Sequence, residues 1–298
     1  MIKNDEFLIE PDPRRRAWVE VDPLVIEANT KIMKELLLEN CLLMAVVKAD
    51  GYGHGANTVA KASLKGGASY LGVATLEEGI ELREEGFKCP ILVLGNLVNA
   101  FDLNTCIHWD LIPTISSYKV ALICQKIAKE GSRKFSIHIK VDTGMTRLGC
   151  DFSEAKELIS LIQKLSNLEL KGIYSHLALA DNDKDINLNY FNNQQLTKFN
   201  TLLRDLDFKK SEILFHLANS AGTISDQKLH FDMVRIGLAL YGYNPFLEEH
   251  ESLGLKPALS LKAKVTLIRD VPKGVGVSYG HSFITNRRSR LAVVSVGY

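Results

Sequence analysis

Eight short apolar runs rich in β-branched residues, alternating with segments of helical spacing, predict an α/β chain that closes as a (β/α)8, TIM-type barrel. After about Pro257 the alternation passes from whole elements to single residues, which predicts an incomplete, mainly antiparallel β domain behind the barrel. With 298 residues, 46% hydrophobic and 24% charged, the chain has material for both cores.

The barrel strands read in order as Leu42 to Val47, Tyr70 to Ala74, Ile91 to Gly95, Leu111 to Ile115, Phe135 to Val141, Leu170 to His176, Glu212 to Leu217 and Met233 to Tyr241. Asp22 reads as the cap of a helix with Pro23 in its first turn, because Leu24, Val25 and Ile26 follow directly. Ser153 reads as the cap of a helix through Ile159, and Asn189 to Leu206 carries apolar residues at helical spacing. The connections have the length of βα loops. Beyond Pro257, Ser260 to Ile268 reads as one alternating strand, Gly274 to Gly280 supplies turns and Arg290 to Val296 forms a further strand. The expected domains are 14–250 for the barrel and 255–298 for the β domain.

Composition narrows the partners. Lysine and arginine number 36 against 35 acidic residues, and a net charge of +1 gives no general field for nucleic acid or an acidic membrane. A small-molecule substrate is therefore expected, with no nucleic acid and no membrane partner. The cysteines Cys41, Cys89, Cys106, Cys124 and Cys150 form no C-x-x-C pair, so neither a metal site nor a disulfide framework is expected. The first residues lack a signal-peptide pattern and charges interrupt the apolar stretches, which places the protein in the cytoplasm.

Lys48 follows the apolar run Leu43 to Val47 and opens a glycine-rich turn, Ala49-Asp50-Gly51-Tyr52-Gly53-His54-Gly55. Desolvation on one side favours the neutral amine, which condenses with aldehydes in Schiff-base chemistry. Taken singly, such a lysine more often snorkels to solvent. Its neighbours in a barrel change that balance, since reactive side chains gather at the C-terminal ends of the strands. Lys140 and Asp142 end the fifth strand, His176 the sixth, Asn219 and Ser220 follow the seventh, and Arg235 and Gly237 lie in the eighth. Ser220-Ala221-Gly222 and Gly237-Leu238 suit a phosphate held beside the last two strands. An aldehyde-binding lysine with a phosphate nest across the barrel mouth describes a pyridoxal 5′-phosphate site.

Six ordered segments then carry a resemblance: Val47 to Gly55, Lys140 to Gly149, Ser175 to Ala178, His216 to Ser220, Val234 to Gly242 and Val277 to Gly280. Together they resemble the alanine racemase family across nearly the whole chain. The resemblance implies that Lys48 links covalently to the cofactor and serves as one of two catalytic bases. It implies that Tyr52, Ser220 and the backbone at Gly237 and Leu238 hold the phosphate, that His176 packs against the ring, and that Arg235 faces the pyridine nitrogen. Arg147 would bond the phenolic oxygen and the substrate. Lys140 stands where many members carry a carbamylated lysine, and Tyr279 of the partner subunit would be the second base in a homodimer that shares its active sites.

Racemisation needs two proton carriers on opposite faces of Cα, and a lysine with a tyrosine can supply them. The implied activity is interconversion of L- and D-alanine, which supplies D-alanine for peptidoglycan. A racemase of another amino acid such as serine or lysine, or a non-catalytic pyridoxal-phosphate carrier, are the alternatives; the β domain and Tyr279 favour an enzyme. His216 reads as a core histidine, and Asp50, Asp142 and His54 as turn residues. Members of the family continue beyond Val296-Gly297-Tyr298, so a fragment with reduced activity is expected.

Overall fold

In the first helix (Pro23–Glu35), Asp22 accepts hydrogen bonds from the Leu24 and Val25 amides at 2.9 and 3.4 Å, with Pro23 at the first helical position. The computed structural model describes residues 16–181, 186–204, 206, 213–246 and 253–297. Eight parallel strands follow, Leu42–Val46, Tyr70–Val73, Ile91–Asn96, Ile112–Ile115, Phe135–Asp142, Leu168–Tyr174, Leu214–His216 and Met233–Ile236. Each pairs in parallel with the next from the first to the seventh, and the eighth returns to the first with Met233 opposite Leu42 and Ile236 opposite Ala45. Between the seventh and eighth strands the barrel is drawn shut by single bonds. The Asp232 amide donates to the Phe215 carbonyl at 3.0 Å, the Arg235 amide to Ala218 at 3.0 Å, and the Phe215 amide to the Asp232 carboxylate at 2.8 Å.

Inside, Met44, Leu92, Tyr174 and Met233 from the first, third, sixth and eighth strands form one buried cluster, each apolar side chain contributing about 1.5–3 kcal/mol by leaving water. Gly172 is part of this packing for a steric reason. A Cβ at Gly172 would lie 2.4 Å from the His138 ring, so the sixth strand must carry a glycine wherever the fifth turns that imidazole inward.

Within the barrel unit several elements differ from the sequence reading. The run Met233 to Tyr241 is a strand only to Ile236; after Gly237 it coils into a short 3-10 turn, Leu238–Tyr241, which leaves its leading N–H groups without intrahelical partners. Asp151, rather than Ser153, is the cap that precedes helix Ala155–Gln163, accepting from the Ser153 amide at 2.8 Å through a 3-10 lead-in. The long helix runs Ile186–Arg204 in place of 189–206.

By contacts the chain divides into a barrel unit, Asp22–Ala258, and a second unit that joins the described residues 16–21 to 259–297. The expected limits at 14, 250 and 298 lie outside the described residues. Strand Ala17–Val21 belongs to the second unit because it pairs antiparallel with Leu259–Ala263, Ala17 opposite Ala263. The run expected as one strand, Ser260 to Ile268, therefore serves two sheets, since Val265–Val271 leaves this pair to join Ser289–Val294. A third small pair joins Gly276–Val277 to Phe283–Ile284.

Gly172→Ala should lower unfolding free energy by about 1–3 kcal/mol in urea titrations, the cost of overpacking a filled site. In a double-mutant cycle with His138→Ala the two changes should couple by more than about 0.5 kcal/mol. Simple additivity would show that the glycine does not serve the imidazole.

Candidate active site

The turn after the first strand is built against local preference. Ala49, Asp50, Gly51 and Tyr52 all hold left-handed backbone, φ/ψ of 51/51, 50/49, 59/40 and 52/39°. Three of them carry a Cβ, and each such residue costs about 1–2 kcal/mol relative to the right-handed form. Hydrogen bonds offset the cost. The Gly51 amide donates to Val47 carbonyl at 2.8 Å, the Ala49 amide to Glu78 Oε1 at 2.7 Å, and Asp50 Oδ1 accepts from the Ala56 amide at 2.7 Å. Asp50 is thus more than a turn residue, since it ties the turn to the start of helix Ala56–Lys65.

This turn sets Lys48 and Tyr52 on one wall of a cavity of about 420 Å³ at the C-terminal ends of the strands. The Lys48 ammonium lies 5.8 Å from the Tyr52 ring centre. Tyr241 backs Tyr52, with ring centres 5.0 Å apart, and donates its hydroxyl to the Val46 carbonyl at 3.1 Å. Burial, then the Glu78 charge, pushes the Tyr52 phenol up and keeps it a neutral donor. Across the cavity, Ser220 Oγ accepts from the Gly237 and Ala239 amides at 3.1 and 3.3 Å, so its own hydroxyl hydrogen is free to point elsewhere. Ser220, Gly237 and Leu238 line the cavity beside Tyr52, whose hydroxyl lies 3.3 Å from the place a Gly237 Cβ would take.

The floor is organised by Arg235, only 4% exposed and without a carboxylate partner among the described residues. Its Nη1 bonds His216 Nδ1 at 3.0 Å and the His216 carbonyl at 3.1 Å. Its Nη2 reaches the Ser175 carbonyl at 2.6 Å, the Leu217 carbonyl at 3.0 Å and His176 Nδ1 at 3.2 Å. The guanidinium also lies 5.2 Å from the Tyr174 ring centre, a cation–π contact. Burial lowers its pKa to about 10, which leaves it charged at neutral pH.

Arginine has no acceptor, so these contacts fix the imidazoles. His176 and His216 each accept at Nδ1 and carry hydrogen at Nε2. His216 Nε2 then donates to His138 Nδ1 at 3.0 Å, which puts the His138 hydrogen on Nε2, a buried atom with no partner among the described residues. Burial, then Arg235, pushes His138 and His176 down to about 3 and His216 well below the ordinary histidine value. His216 stacks on Tyr174, with ring centres 4.7 Å apart, and the Tyr174 hydroxyl pairs with Thr114 Oγ1 at 2.8 Å.

Lys140, 5% exposed, reaches over the Tyr174 ring at 5.5 Å, and burial, then Arg235 and Arg147, pushes its ammonium down to about 8. Arg147 lines the cavity from the loop after the fifth strand, where Asp142 Oδ1 accepts from the Gly144 and Thr146 amides at 2.8 and 3.1 Å. Gln195 joins this loop to the next. Its Nε2 donates to the His176 carbonyl at 2.9 Å and to Thr143 Oγ1 at 3.2 Å, and its Oε1 accepts from the Ala178 amide at 3.0 Å.

Nine of the sequence candidates, Lys48, Tyr52, Lys140, Arg147, His176, Ser220, Arg235, Gly237 and Leu238, line this single cavity. Tyr279 belongs to a 3-10 turn of the second unit and is 97% exposed. Sequence reasoning missed Tyr174, His138, Glu78 and Gln195. His138 alternates with Lys140 and Tyr174 with His176, a period-two signal that places each pair on one face, and Glu78 completes a Thr75-x-x-Glu78 capping box, but nothing local marks Gln195.

Four cations line the cavity against one carboxylate, Asp181, which suits an anionic ligand. Arginine has five N–H donors; four of Arg235's are committed, and its Nε–H has no protein acceptor among the described residues. A pyridine nitrogen is an acceptor for that donor, and the amine of Lys48 and the donors around Ser220 answer an aldehyde and a phosphate. The fold and cavity therefore define a barrel protein whose site suits pyridoxal phosphate.

Comparison with known proteins narrows this class. Residues 21–245 match the alanine racemase N-terminal domain and residues 258–298 the alanine racemase C-terminal domain. An alanine racemase of Prochlorococcus marinus is 61% identical over 287 residues, covering 96% of this chain and 74% of that one. The structure of alanine racemase from Clostridium difficile 630 superimposes with a TM-score of 0.83 at 34% identity, covering 96% of this chain and 74% of that one. One from Bartonella henselae, solved with covalently bound pyridoxal phosphate, gives 0.80 at 32% identity, covering 95% and 76%. The chain belongs to the alanine racemase family, whose cofactor is pyridoxal phosphate. No helix among the described residues is long and apolar enough to cross a membrane.

Three imidazoles held neutral make acid stability predictable. An unfolded histidine takes up a proton near pH 6.5, whereas His138 in the fold does so only near 3. Between these values the unfolded chain binds more protons, so stability falls as pH drops below 6.5, by up to about 1.4 kcal/mol per pH unit for each fully buried imidazole. Urea midpoints measured from pH 7 to 5 should show this fall, and His138→Gln should make it shallower.

Proposed function

We propose that the chain interconverts L- and D-alanine by a two-base reaction, supplying D-alanine for peptidoglycan in the cytoplasm. The observation that carries this reading is the shared cavity of Lys48 and Arg235, with a cluster of donors at Ser220, Gly237 and Tyr52 beside them. When bound, pyridoxal phosphate supplies an electrophilic aldehyde and an electron sink that weakens the Cα–H bond of the amino acid.

The chain's own residues do the rest. Ser220, Tyr52 and the backbone at Leu238 would bind the phosphate, with the Gly237 amide holding the Ser220 oxygen in place, and His176 would pack against the ring. Arg235 donates its Nε–H to the pyridine nitrogen. Because a guanidinium does not release its proton at neutral pH, that nitrogen stays largely unprotonated, which restrains the sink and disfavours transamination. Arg147 bonds the phenolic oxygen and orients the substrate. Lys48 moves a proton on one face of Cα, and Tyr279 of the partner subunit moves one on the other.

A homodimer with shared sites follows from that last role, and the full exposure of Tyr279 within its own chain agrees with it. Lys140 has the depressed pKa that carbamylation by carbon dioxide needs, and the resulting anion would pair with Arg147.

Purified protein with pyridoxal phosphate and L-alanine in deuterium oxide should yield deuterium at Cα in both enantiomers. Label confined to L-alanine would remove the second base, and no exchange at all would overturn the reading. Arg235→Glu should raise pyruvate formation relative to racemisation by at least about 10-fold, near 1.4 kcal/mol in relative barrier. An unchanged ratio would dismiss the proposed control by the guanidinium.

A further inference from the structure

Glu78 lies outside the cavity lining, yet its carboxylate joins the loops after the first two strands. Oε1 accepts the Ala49 amide at 2.7 Å, while Oε2 accepts the Ala74 amide at 2.6 Å and the Thr75 amide at 3.3 Å. Helix Leu76–Glu84 fixes the carboxylate in place, because Glu78 is its third residue and closes a capping box with Thr75. The bond to Ala49 is not needed for that cap. It falls on the first left-handed residue of the turn between Lys48 and Tyr52, the place where the backbone departs from its preferred form.

We infer that Glu78 is a positioning residue for Lys48 and Tyr52, holding the left-handed turn that aims both at the cofactor. The inference rests on reading the cavity as a pyridoxal-phosphate site. The Lys48–Ala49 peptide contains the N–H that Glu78 anchors, so the anchor fixes the backbone from which the lysine side chain leaves. Tyr52 closes the same turn, and its position beside Gly237 depends on all four left-handed residues being kept. Only a carboxylate serves both loops. An amide at position 78 has one acceptor oxygen, and its NH2 would face a backbone N–H at the other.

The test compares apo protein and variants in two measurements, amide hydrogen exchange at Ala49 and Gly51 and titration with pyridoxal phosphate followed by the absorbance of the lysine adduct. Glu78→Gln should raise both the exchange rate and the cofactor Kd about 10-fold, the loss of one bond to a charged group. Thr75→Ala, which removes the other half of the capping box, should change either by less than about 2-fold. In the Glu78→Gln background, Ala49→Gly should recover at least about 3-fold in Kd, because glycine adopts the left-handed form without a Cβ penalty.

Wild-type exchange and Kd in Glu78→Gln would overturn the inference. So would equal losses in Thr75→Ala, which would reduce Glu78 to a helix cap. Failure of the wild-type chain to form the lysine adduct would instead overturn the cofactor reading, while the exchange measurement still decides whether Glu78 holds the turn.

Discussion

A guanidinium buried in the barrel without a carboxylate partner among the described residues is the constraint that organises this molecule. An isolated ion in such a place is costly, and Arg235 is retained because three carbonyls, two imidazole nitrogens and an aromatic face surround it. Each of those groups is fixed in turn. The carbonyls belong to the ends of the sixth and seventh strands, Tyr174 is pinned by Thr114, and the imidazoles must be neutral and of one tautomer. The cation also sets its neighbours, since its field helps hold His138, His176 and His216 in their uncharged forms and lowers the pKa of the Lys140 ammonium to about 8.

The barrel supplies the second requirement, which is precision at the loops. Strand ends place Cα atoms, but the side chains must be aimed from loops that rarely form rigid structures on their own. Buried or half-buried polar side chains bridge adjacent loops here. Glu78 joins the first to the second, Gln195 joins the fifth to the sixth, and Ser220 joins the seventh to the eighth. Each bridge consumes backbone donors that would otherwise be unpaired, so the same bonds that satisfy the loops also position the site. A left-handed turn with three Cβ-bearing residues is tolerated for the same reason, because its N–H groups find acceptors only in that form.

The sequence by itself determined the eight barrel strands, the capped first helix and nine candidate residues that line one cavity, because strand-end polarity follows from a short-range pattern. Apolar runs ending in Lys48, Lys140 or His176 are visible without coordinates, and the barrel rule says where such ends meet. Tyr279 was legible only as a member of an ordered set of motifs, since a tyrosine in a glycine-rich turn has no local signature. Only the tertiary structure decided how those ends are held. Nothing local joins Arg235 to His216 and His138, or Ala49 to Glu78, and the left-handed form of Ala49, Asp50 and Tyr52 contradicts what their side chains prefer. The division of residues 260–268 between two sheets has the same origin, since a strand's partner is chosen by what the rest of the chain brings alongside it. Local pattern fixes which atoms are available; closure of the barrel fixes which of them meet.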